Sequence, residues 1–373
     1  MNYIALKDVC TINMGQSPES SSYNEIGDGI PFFQGNADFG ERYPITRVWC
    51  NKPTKVAKAE DILISVRAPI GAMNYAKEKC CIGRGVAALT PNEEKVSSEF
   101  IFWLLKGKNN ELNQKGTGST FKAIGRKVLE EIQVPEINLE LQRKYASNLE
   151  RIYSIIQDRQ RQLEQLDKLV RARFVEMFGD PVSNSYGLPE ATLPELGKFG
   201  RGVSKHRPRN DPRLLDGEYP LVQTGDVANA SLYITSYNST YSELGLKQSK
   251  MWSKGTLCIT IAANIAKTAI LEFDACFPDS VVGFIANEKT NNIFIHYWFS
   301  FFQAILESQA PESAQKNINL KILSELKVIV PEKEKQNEFV DFVHQVDKSK
   351  DSVQKALDEA QLLFDSLMQQ YFG

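Results

Sequence analysis

The chain has 373 residues, 42% hydrophobic and 24% charged, so it can bury apolar cores and is not a disordered polypeptide. Its 44 Lys and Arg residues against 46 Asp and Glu residues give a net charge of −2, so a phosphate-bearing partner would need a local basic patch. Six cysteines without CxxC spacing favour reduced thiols in a cytoplasmic protein. The N-terminus does not resemble a signal peptide, and the most apolar stretch, 293–306, is too short to span a bilayer. We therefore expect no membrane partner.

Short strands and single helices are predicted in two separate regions. Runs bounded by Gly, Pro or Asn predict strands at Asp61–Arg67 and Val86–Thr90, followed by a helix at Ser97–Lys106. The same order returns later, with strands at Leu257–Ile261 and Val281–Ala286 and a helix at Ile293–Glu307. We therefore expect an α+β fold with two similar globules in tandem.

A long amphipathic helix is predicted after each globule, because apolar residues recur there in steps of three and four. Pro135 and Pro331 precede the helices, and Gly179-Asp180-Pro181 ends the first. The positions expected to pack are Tyr145, Leu149, Ile152, Leu163 and Leu166, and Phe339, Val343, Val346, Leu357 and Leu363. The pattern leaves two alternatives open, Leu169 or Val170 and Leu363 or Phe364. Helices of about 40 residues are about 60 Å long, and we expect the two to pair with each other.

The chain is a tandem duplication. Met177-Phe178-Gly179 and Tyr371-Phe372-Gly373 are 194 residues apart, and the same offset aligns 122–132 with 316–326 and Gln142 with Gln336. The predicted parts are a first globule at 1–137, a helix at 138–179, a linker at 180–189, a second globule at 190–331 and a helix at 332–373. Pairing about a pseudo-two-fold axis would make the helices an antiparallel coiled coil. Two similar readers at a fixed separation suit two half-sites on DNA.

The chain resembles the specificity subunits of type I restriction-modification enzymes along its whole length. The resemblance rests on Ala314-Gln315-Lys316-Asn317-Ile318-Asn319 before Val330-Pro331, on Gly118-Ser119-Thr120-Phe121-Lys122-Ala123-Ile124 before Val134-Pro135, and on the strand-like run 219–226. It implies that each globule is a target recognition domain for one half of a bipartite sequence on double-stranded DNA. It also implies helices that set the spacer and dock methyltransferase subunits, with motor-nuclease subunits completing the complex. S-adenosylmethionine, ATP and Mg²⁺ would then be bound only by the partner subunits.

Candidate DNA contacts are mainly basic or amide side chains, with a few hydroxyl groups and one carboxylate, at strand ends and in polar loops. In the first globule they are Gln34, Asn36, Arg67, Arg84, Lys115, Thr117, Ser119 and Lys122. In the second they are Lys205, His206, Arg207, Arg209, Gln223, Thr224, Asp226, Lys267, Gln315 and Lys316. The alternative for the basic run is a solvated loop, and the alternative for the Gln, Asn and Asp side chains is hydrogen bonding to turn backbone.

Two other classes of function are alternatives to DNA recognition. A stand-alone DNA-modifying enzyme is disfavoured because the chain has no Pro-Pro of an amino-methyltransferase, only an isolated Gly200-Arg201-Gly202, and no GxxxxGK[ST] loop. Pro278-Asp279 begins a nuclease-like pattern, but Glu288-Lys289 does not complete it. A coiled-coil scaffold with protein-binding globules is compatible with the helices alone. We expect a non-catalytic subunit without a metal site.

Overall fold

The computed structural model describes residues 2–118, 122–262, 264–309 and 318–373. The chain forms two compact units, the first from residues 1–161 with 354–373 and the second from residues 162–353. Each unit therefore contains part of both long helices in addition to the globule predicted from the sequence.

The first unit is an α+β globule. Its strands are β1 (Tyr3–Ala5), β2 (Cys10–Met14), β3 (Tyr23–Asn24), β4 (Ile30–Phe33), β5 (Trp49–Cys50), β6 (Val56–Ala57), β7 (Ile62–Ser65), β8 (Met73–Tyr75), β9 (Cys80–Ile82), β10 (Val86–Pro91) and β11 (Gln133–Pro135). Its helices are α1 (Ser98–Gly107), α2 (Asn109–Gln114), α3 (Arg126–Glu130), the start of α4 (Leu139–Phe178) and the end of the last helix, α10 (Lys333–Phe372).

The strands of the first unit form layered sheets. An antiparallel sheet has the order β2-β10-β7-β8, and a second sheet has the order β3-β5-β4-β9-β6 with β4 and β9 parallel. Strand β1 pairs with β11, which brings the N-terminal segment beside the entry to α4. All four residues of β7 are buried, and α1 packs a face of buried side chains such as Phe100 and Trp103 into the same core.

The second unit repeats this plan. Its strands are β12 (Glu190–Thr192), β13 (Gly197–Arg201), β14 (Leu215–Leu221), β15 (Tyr233–Ile234), β16 (Ser239–Tyr241), β17 (Met251–Trp252), β18 (Leu257–Thr260), β19 (Thr268–Leu271), β20 (Ala275–Cys276), β21 (Val281–Ala286) and β22 (Lys327–Ile329). Its helices are α5 (Leu193–Leu196), α6 (Thr224–Asn229), α7 (Glu243–Lys247), α8 (Asn292–Gln309), α9 (Leu320–Glu325) and part of α4 and α10 (Lys333–Phe372). The predicted strands and helices are confirmed, each to within two residues at its ends.

Strand order confirms the duplication. Sheet β13-β21-β18-β19-β15 matches β2-β10-β7-β8 with one strand added, and β16-β14-β20-β17 matches β5-β4-β9-β6, including a parallel pair. The structure corrects the sequence alignment of these strands. Ile62 pairs with Leu89 across β7 and β10, and the equivalent pair across β18 and β21 is Leu257 with Phe284. Equivalent residues of these strands are therefore 195 positions apart and not 194. From α1 and α8 onward, residues that make equivalent hydrogen bonds are again 194 positions apart. The turn after β21 in the second unit is therefore one residue shorter than the turn after β10 in the first. The two Val-Pro pairs are not equivalent either, because Pro135 ends β11 whereas Pro331 follows β22.

A buried glutamine on each long helix explains one of the repeated residues. The amide of Gln142 accepts from Ser97 N at 2.9 Å and donates to Lys95 O and Ile137 O. The amide of Gln336 accepts from Thr290 Oγ1 at 3.0 Å and donates to Lys289 O and Pro331 O at 3.0 and 2.9 Å. Each glutamine thereby ties the start of its long helix to the turn that leads into the central helix of its globule.

In the first unit, α4 and α10 run antiparallel. The rings of Tyr145 and Tyr371 stack with centroids 3.7 Å apart, and the ring centroids of Tyr153 and Phe364 are 6.0 Å apart. Residue numbers therefore rise along α4 in the direction in which they fall along α10. Leu149 is fully buried, and Ile152 and Leu357 are partly buried against the same core. The choice of Leu363 was wrong: it is 51% exposed, whereas Phe364 is 8% exposed because it turns toward Trp103.

The same antiparallel pairing occurs in the second unit. Arg173 pairs with Glu338 at 3.0 Å and Asp167 with Lys350 at 2.5 Å. The predicted positions Phe339, Val343 and Val346 are buried, and Leu163 and Leu166 are partly buried. Of the two remaining alternatives, Val170 is buried and Leu169 is exposed. Within the described part of the chain, no helix is long and apolar enough to cross a membrane.

One core position differs in chemistry between the units. Phe102 on α1 stacks on Tyr75, whereas the equivalent residue on α8 is His296, whose Nδ1 lies 3.0 Å from Thr268 Oγ1. Burial lowers the pKa of His296 to about 4, and the neighbouring charge of Lys350 acts in the same direction. The second unit therefore contains a histidine that folding keeps neutral. All six cysteines are buried free thiols.

Candidate nucleic-acid interface

In the first unit, an open cleft of about 540 Å³ collects side chains from three separate strand ends. Gln34 and Asn36 follow β4, Arg67 follows β7, and Arg84 lies in the turn between β9 and β10. Because β4 and β9 are parallel neighbours, the segments that follow them emerge at the same edge of the sheet. Gly85 allows the close approach, since a Cβ there would lie 2.2 Å from Gln34 O. Four predicted contact residues are thus placed together.

Asp38 shapes this cleft, although the sequence analysis did not select it. Its Oδ2 accepts from Gln34 N at 2.7 Å and from Gly35 N at 3.3 Å, and its Oδ1 accepts from Arg47 at 2.7 Å. These bonds hold the backbone after β4 while the Gln34 side chain stays exposed. A carboxylate five residues after a strand end is also a common turn signal, which is why the sequence alone did not single it out.

A second group of first-unit candidates lies beside Arg67. The backbones of Arg67 and Thr117 each bridge to Ala123, and Ala68 N donates to Lys122 O at 3.0 Å. Arg67, Thr117 and Lys122 are exposed. Lys115 forms an ion pair with Glu111 at 2.6 Å within the same helical turn, so its charge is partly neutralised. Ser119 lies outside the described residues, as do Gln315 and Lys316 of the second unit.

In the second unit, Gln223 and Thr224 follow β14 as Gln34 follows β4. Asp226 Oδ2 accepts from Gln223 N at 2.8 Å, and its Oδ1 accepts from Asn238 at 2.9 Å. Asp226 therefore has the same backbone-holding role as Asp38, which favours the turn alternative for this residue. The Gln223 side chain is exposed and donates to Ser239 Oγ at 3.2 Å. Lys267 is half-buried and its backbone bonds to Thr260.

The basic run of the second unit is an ordered loop held by several polar contacts. Gln248 Oε1 accepts from Lys205 N at 2.7 Å and from His206 N at 3.0 Å. His206 Nε2 lies 3.0 Å from Asp211, which also pairs with Arg213 at 2.7 Å. Hydrogen bonds from Arg213 hold the pKa of Asp211 well below its usual range. This carboxylate therefore stays charged and offsets part of the loop's positive charge.

Arg207 and Arg209 both contact Asp279, a residue that the sequence analysis noted only as part of an incomplete nuclease pattern. Arg207 Nη2 lies 3.4 Å from Asp279 Oδ2, and Arg209 Nη2 pairs with Oδ1. Asp279 occupies the turn between β20 and β21 that corresponds to the position of Arg84 in the first unit. Among the described residues, no group of three or more His, Cys, Asp or Glu side chains is placed to hold a metal ion.

Comparison with known proteins shows which family has this architecture. A family model described as the type I restriction modification DNA specificity domain matches residues 1–166 and 190–361. The chain belongs to this family and carries the domain twice. Its fold was expected from the sequence resemblance and is confirmed by the match.

Individual relatives agree with this assignment. A putative type I restriction enzyme MjaX specificity subunit from Methanocaldococcus jannaschii is 48% identical over 157 residues, which are 42% of this chain and 37% of that protein. The EcoBI specificity subunit from Escherichia coli is 22% identical across 98% of this chain and 83% of its own length. The first match thus spans less than half of each protein, and the second spans most of both.

Solved structures of two related systems share the fold. The S subunit of a type I restriction-modification system from M. genitalium aligns with a TM-score of 0.63 at 16% identity, over 100% of this chain and 96% of that one. A chain from a study of complex assembly and conformational transition in a type I system aligns with a TM-score of 0.58, also at 16% identity, over 97% of its length. At this identity, the likeness establishes the fold alone.

Proposed function

We propose that this chain is the subunit that selects the DNA sequence in a type I restriction-modification complex, with each unit reading one half of a bipartite target. The observation that carries the proposal is a repeated fold with different cleft residues. The strands that the two units share follow the same order, with β3 added in the first unit and β15 in the second, while Arg84 of one corresponds to Asp279 of the other. Two copies of one frame with different polar edges suit two different half-sites.

The first-unit cleft has the chemistry of a base reader. Exposed Gln34 and half-exposed Asn36 carry amides, which pair with adenine edges, and Arg67 and Arg84 carry guanidinium groups, which pair with guanine or phosphate. Since these groups line one cleft, they can act on one short stretch of duplex. A chain with a net charge of −2 needs such a local concentration of basic groups to bind DNA.

Helices α4 and α10 have the features needed for spacing and for docking partners. At 40 residues each, they are about 60 Å long. On the first-unit part of these helices, Ile155, Leu362 and Leu363 are 46%, 74% and 51% exposed, although they belong to apolar residue types. We propose that this apolar surface is covered by methyltransferase subunits, with motor-nuclease subunits joining the same complex.

Catalysis is assigned to those partners. In this proposal the methyltransferase subunits bind S-adenosylmethionine and methylate adenine, and the motor-nuclease subunits bind ATP and Mg²⁺. The present chain contributes the DNA contacts, and it would work in the cytoplasm where the DNA is found.

Methylation-sensitive sequencing of host DNA tests this function directly, using cells with and without the gene. We expect methylation at a split motif with a fixed gap, lost on deletion and restored by the intact chain. If every methylated motif survives deletion, the proposal fails and a protein-binding scaffold becomes the better explanation. Exchange of residues 1–137 for those of a relative should change one half-site only, and a change in both would contradict the assignment of one reader to each unit.

A further inference from the structure

The contact of Asp279 with two arginines is a feature of the second unit that the general proposal does not explain. The carboxylate receives Arg207 on one oxygen and Arg209 on the other, and its side chain is 34% exposed. A single exposed ion pair contributes little to stability, so its main effect is to fix the direction of the guanidinium groups.

The two arginines are held differently. Arg207 Nη1 also donates to Ser204 O at 2.6 Å and to His206 O at 2.8 Å, so both of its terminal nitrogens have partners in the protein. Arg209 contacts Asp279 through Nη2. The side chains of Arg207 and Arg209 are similarly exposed, at 55% and 46%, so the two differ in their hydrogen-bond partners and not in exposure. A planar guanidinium has five N–H groups in a fixed fork, so Arg209 retains donors for a further planar partner. Arg207 stiffens the loop, and Arg209 is the group available to a ligand.

Charge indicates which part of DNA would suit Arg209. A carboxylate beside a guanidinium repels a phosphate, but it leaves N–H donors directed at uncharged acceptors. In the first unit, Arg84 lies at the equivalent turn, and its Nε contacts only a hydroxyl, Ser17 Oγ at 3.4 Å, among the described residues. The partner of Arg84 is thus an uncharged hydroxyl, which leaves its positive charge without a paired carboxylate and suits a phosphate, whereas Arg209 beside Asp279 suits the O6 and N7 acceptors of guanine.

We infer that Arg209 reads a guanine in the half-site of the second unit and that Asp279 is the residue that positions its guanidinium. This inference rests on the proposed function, since it names the base class that one of the two readers selects. It also assigns Asp279 a role that is not nuclease chemistry.

Base-level methylation maps from cells producing variant chains with their native partner subunits test the inference. Arg209→Ala should relax one guanine position of one half-site, and the preference for guanine over other bases should fall about 5- to 150-fold. Asp279→Asn should relax the same position to a smaller degree, whereas Asp279→Glu should retain the preference. Arg209→Lys keeps the charge without the fork and should also relax that position. The matched control is Glu272→Gln, which breaks the exposed Lys254–Glu272 pair in the same unit and should leave the motif unchanged.

A chemical substitution provides a second measurement. Once the position is known, replacing that guanine by 7-deazaguanine in a synthetic duplex should weaken binding of the wild-type complex but not of the Arg209→Ala complex. Uniformly reduced methylation with every motif position intact would indicate a phosphate contact and would overturn the inference. Relaxation in Arg209→Ala with none in Asp279→Asn would overturn the role of Asp279. In both cases the split motif of the wild-type chain would still stand, whereas absence of any gene-dependent motif would refute the proposed function itself.

Discussion

Gln336 offers the sharpest test of how each globule is attached to its long helix. Its side chain is fully buried, and its amide contacts two backbone carbonyls and one hydroxyl at 2.9 to 3.0 Å. Replacing it with leucine keeps a similar volume and adds apolar surface, but it removes every one of these hydrogen bonds. The carbonyls of Lys289 and Pro331 would then lose their amide donor in a buried site.

The expected loss of stability follows from that count. A buried polar group left without its partner costs about 1–3 kcal/mol, and the added apolar surface of leucine offsets part of the sum for two carbonyls. We expect Gln336→Leu to destabilise the second unit by about 3 kcal/mol. At tenfold per 1.4 kcal/mol, this corresponds to an increase of more than about 100-fold in the population of the open form.

Hydrogen exchange on the full chain measures this effect, because protection of the amides in α8 reports opening of the second unit while α1 serves as an internal reference. Gln345→Leu makes the same chemical change at an exposed position of the same helix and should alter protection by less than about 0.5 kcal/mol. Gln142→Leu should reverse the pattern and affect the first unit. If Gln336→Leu matched the Gln345→Leu control, the buried amide would not be what holds the helix to the globule, and the reasoning would be refuted.

Three further outcomes are expected. The second unit should lose about 2 kcal/mol between pH 7 and pH 5, because the folded state lowers the pKa of His296 to about 4 while the unfolded chain takes up a proton near 6.5. Urea titrations should show this fall abolished in His296→Phe, whereas Val343→Ala should lower stability equally at both pH values. Phe364→Ala should destabilise the first unit by about 3–5 kcal/mol and Leu363→Ala by less than about 0.5 kcal/mol, as thermal unfolding would show. Removing one heptad from both long helices, about 10 Å, should shorten the methylated motif's gap by about three base pairs and leave both half-sites unchanged.

The long helices were the easiest elements to predict, and their side-chain register was harder. A stripe that persists over ten turns averages out local exceptions, so the predicted bounds lie within one residue of α4 and α10. The choice between Leu363 and Phe364 depended on what the globule offers to the helix. Trp103 lies on Phe364, and nothing in the periodicity of α10 itself identifies that partner.

The candidate site was less predictable, because it consists of strand ends that meet only in three dimensions. Basic and amide residues could be selected by type, and the cleft unites Gln34, Asn36, Arg67 and Arg84. Residue type alone does not show whether an aspartate holds a turn or positions an arginine. Asp226 holds a turn and Asp279 holds two arginines, yet in the sequence each is simply an aspartate that follows a Gly or a Pro.

The difference between buried and exposed polar residues explains how one repeated fold can serve two DNA-reading units. Gln142 and Gln336 have buried hydrogen bonds whose loss would open the fold, so a substitution at either position acts on stability before it can act on recognition. Arg84 and Arg209 are exposed at loop positions, where replacement changes charge and donor geometry with little effect on the core. The turn that carries Arg84 between β9 and β10 carries Asp279 between β20 and β21. In the second unit the guanidinium group comes from Arg209 in another loop. The physical separation of buried frame from exposed edge is what allows the halves to diverge in what they read while they keep the same sheets.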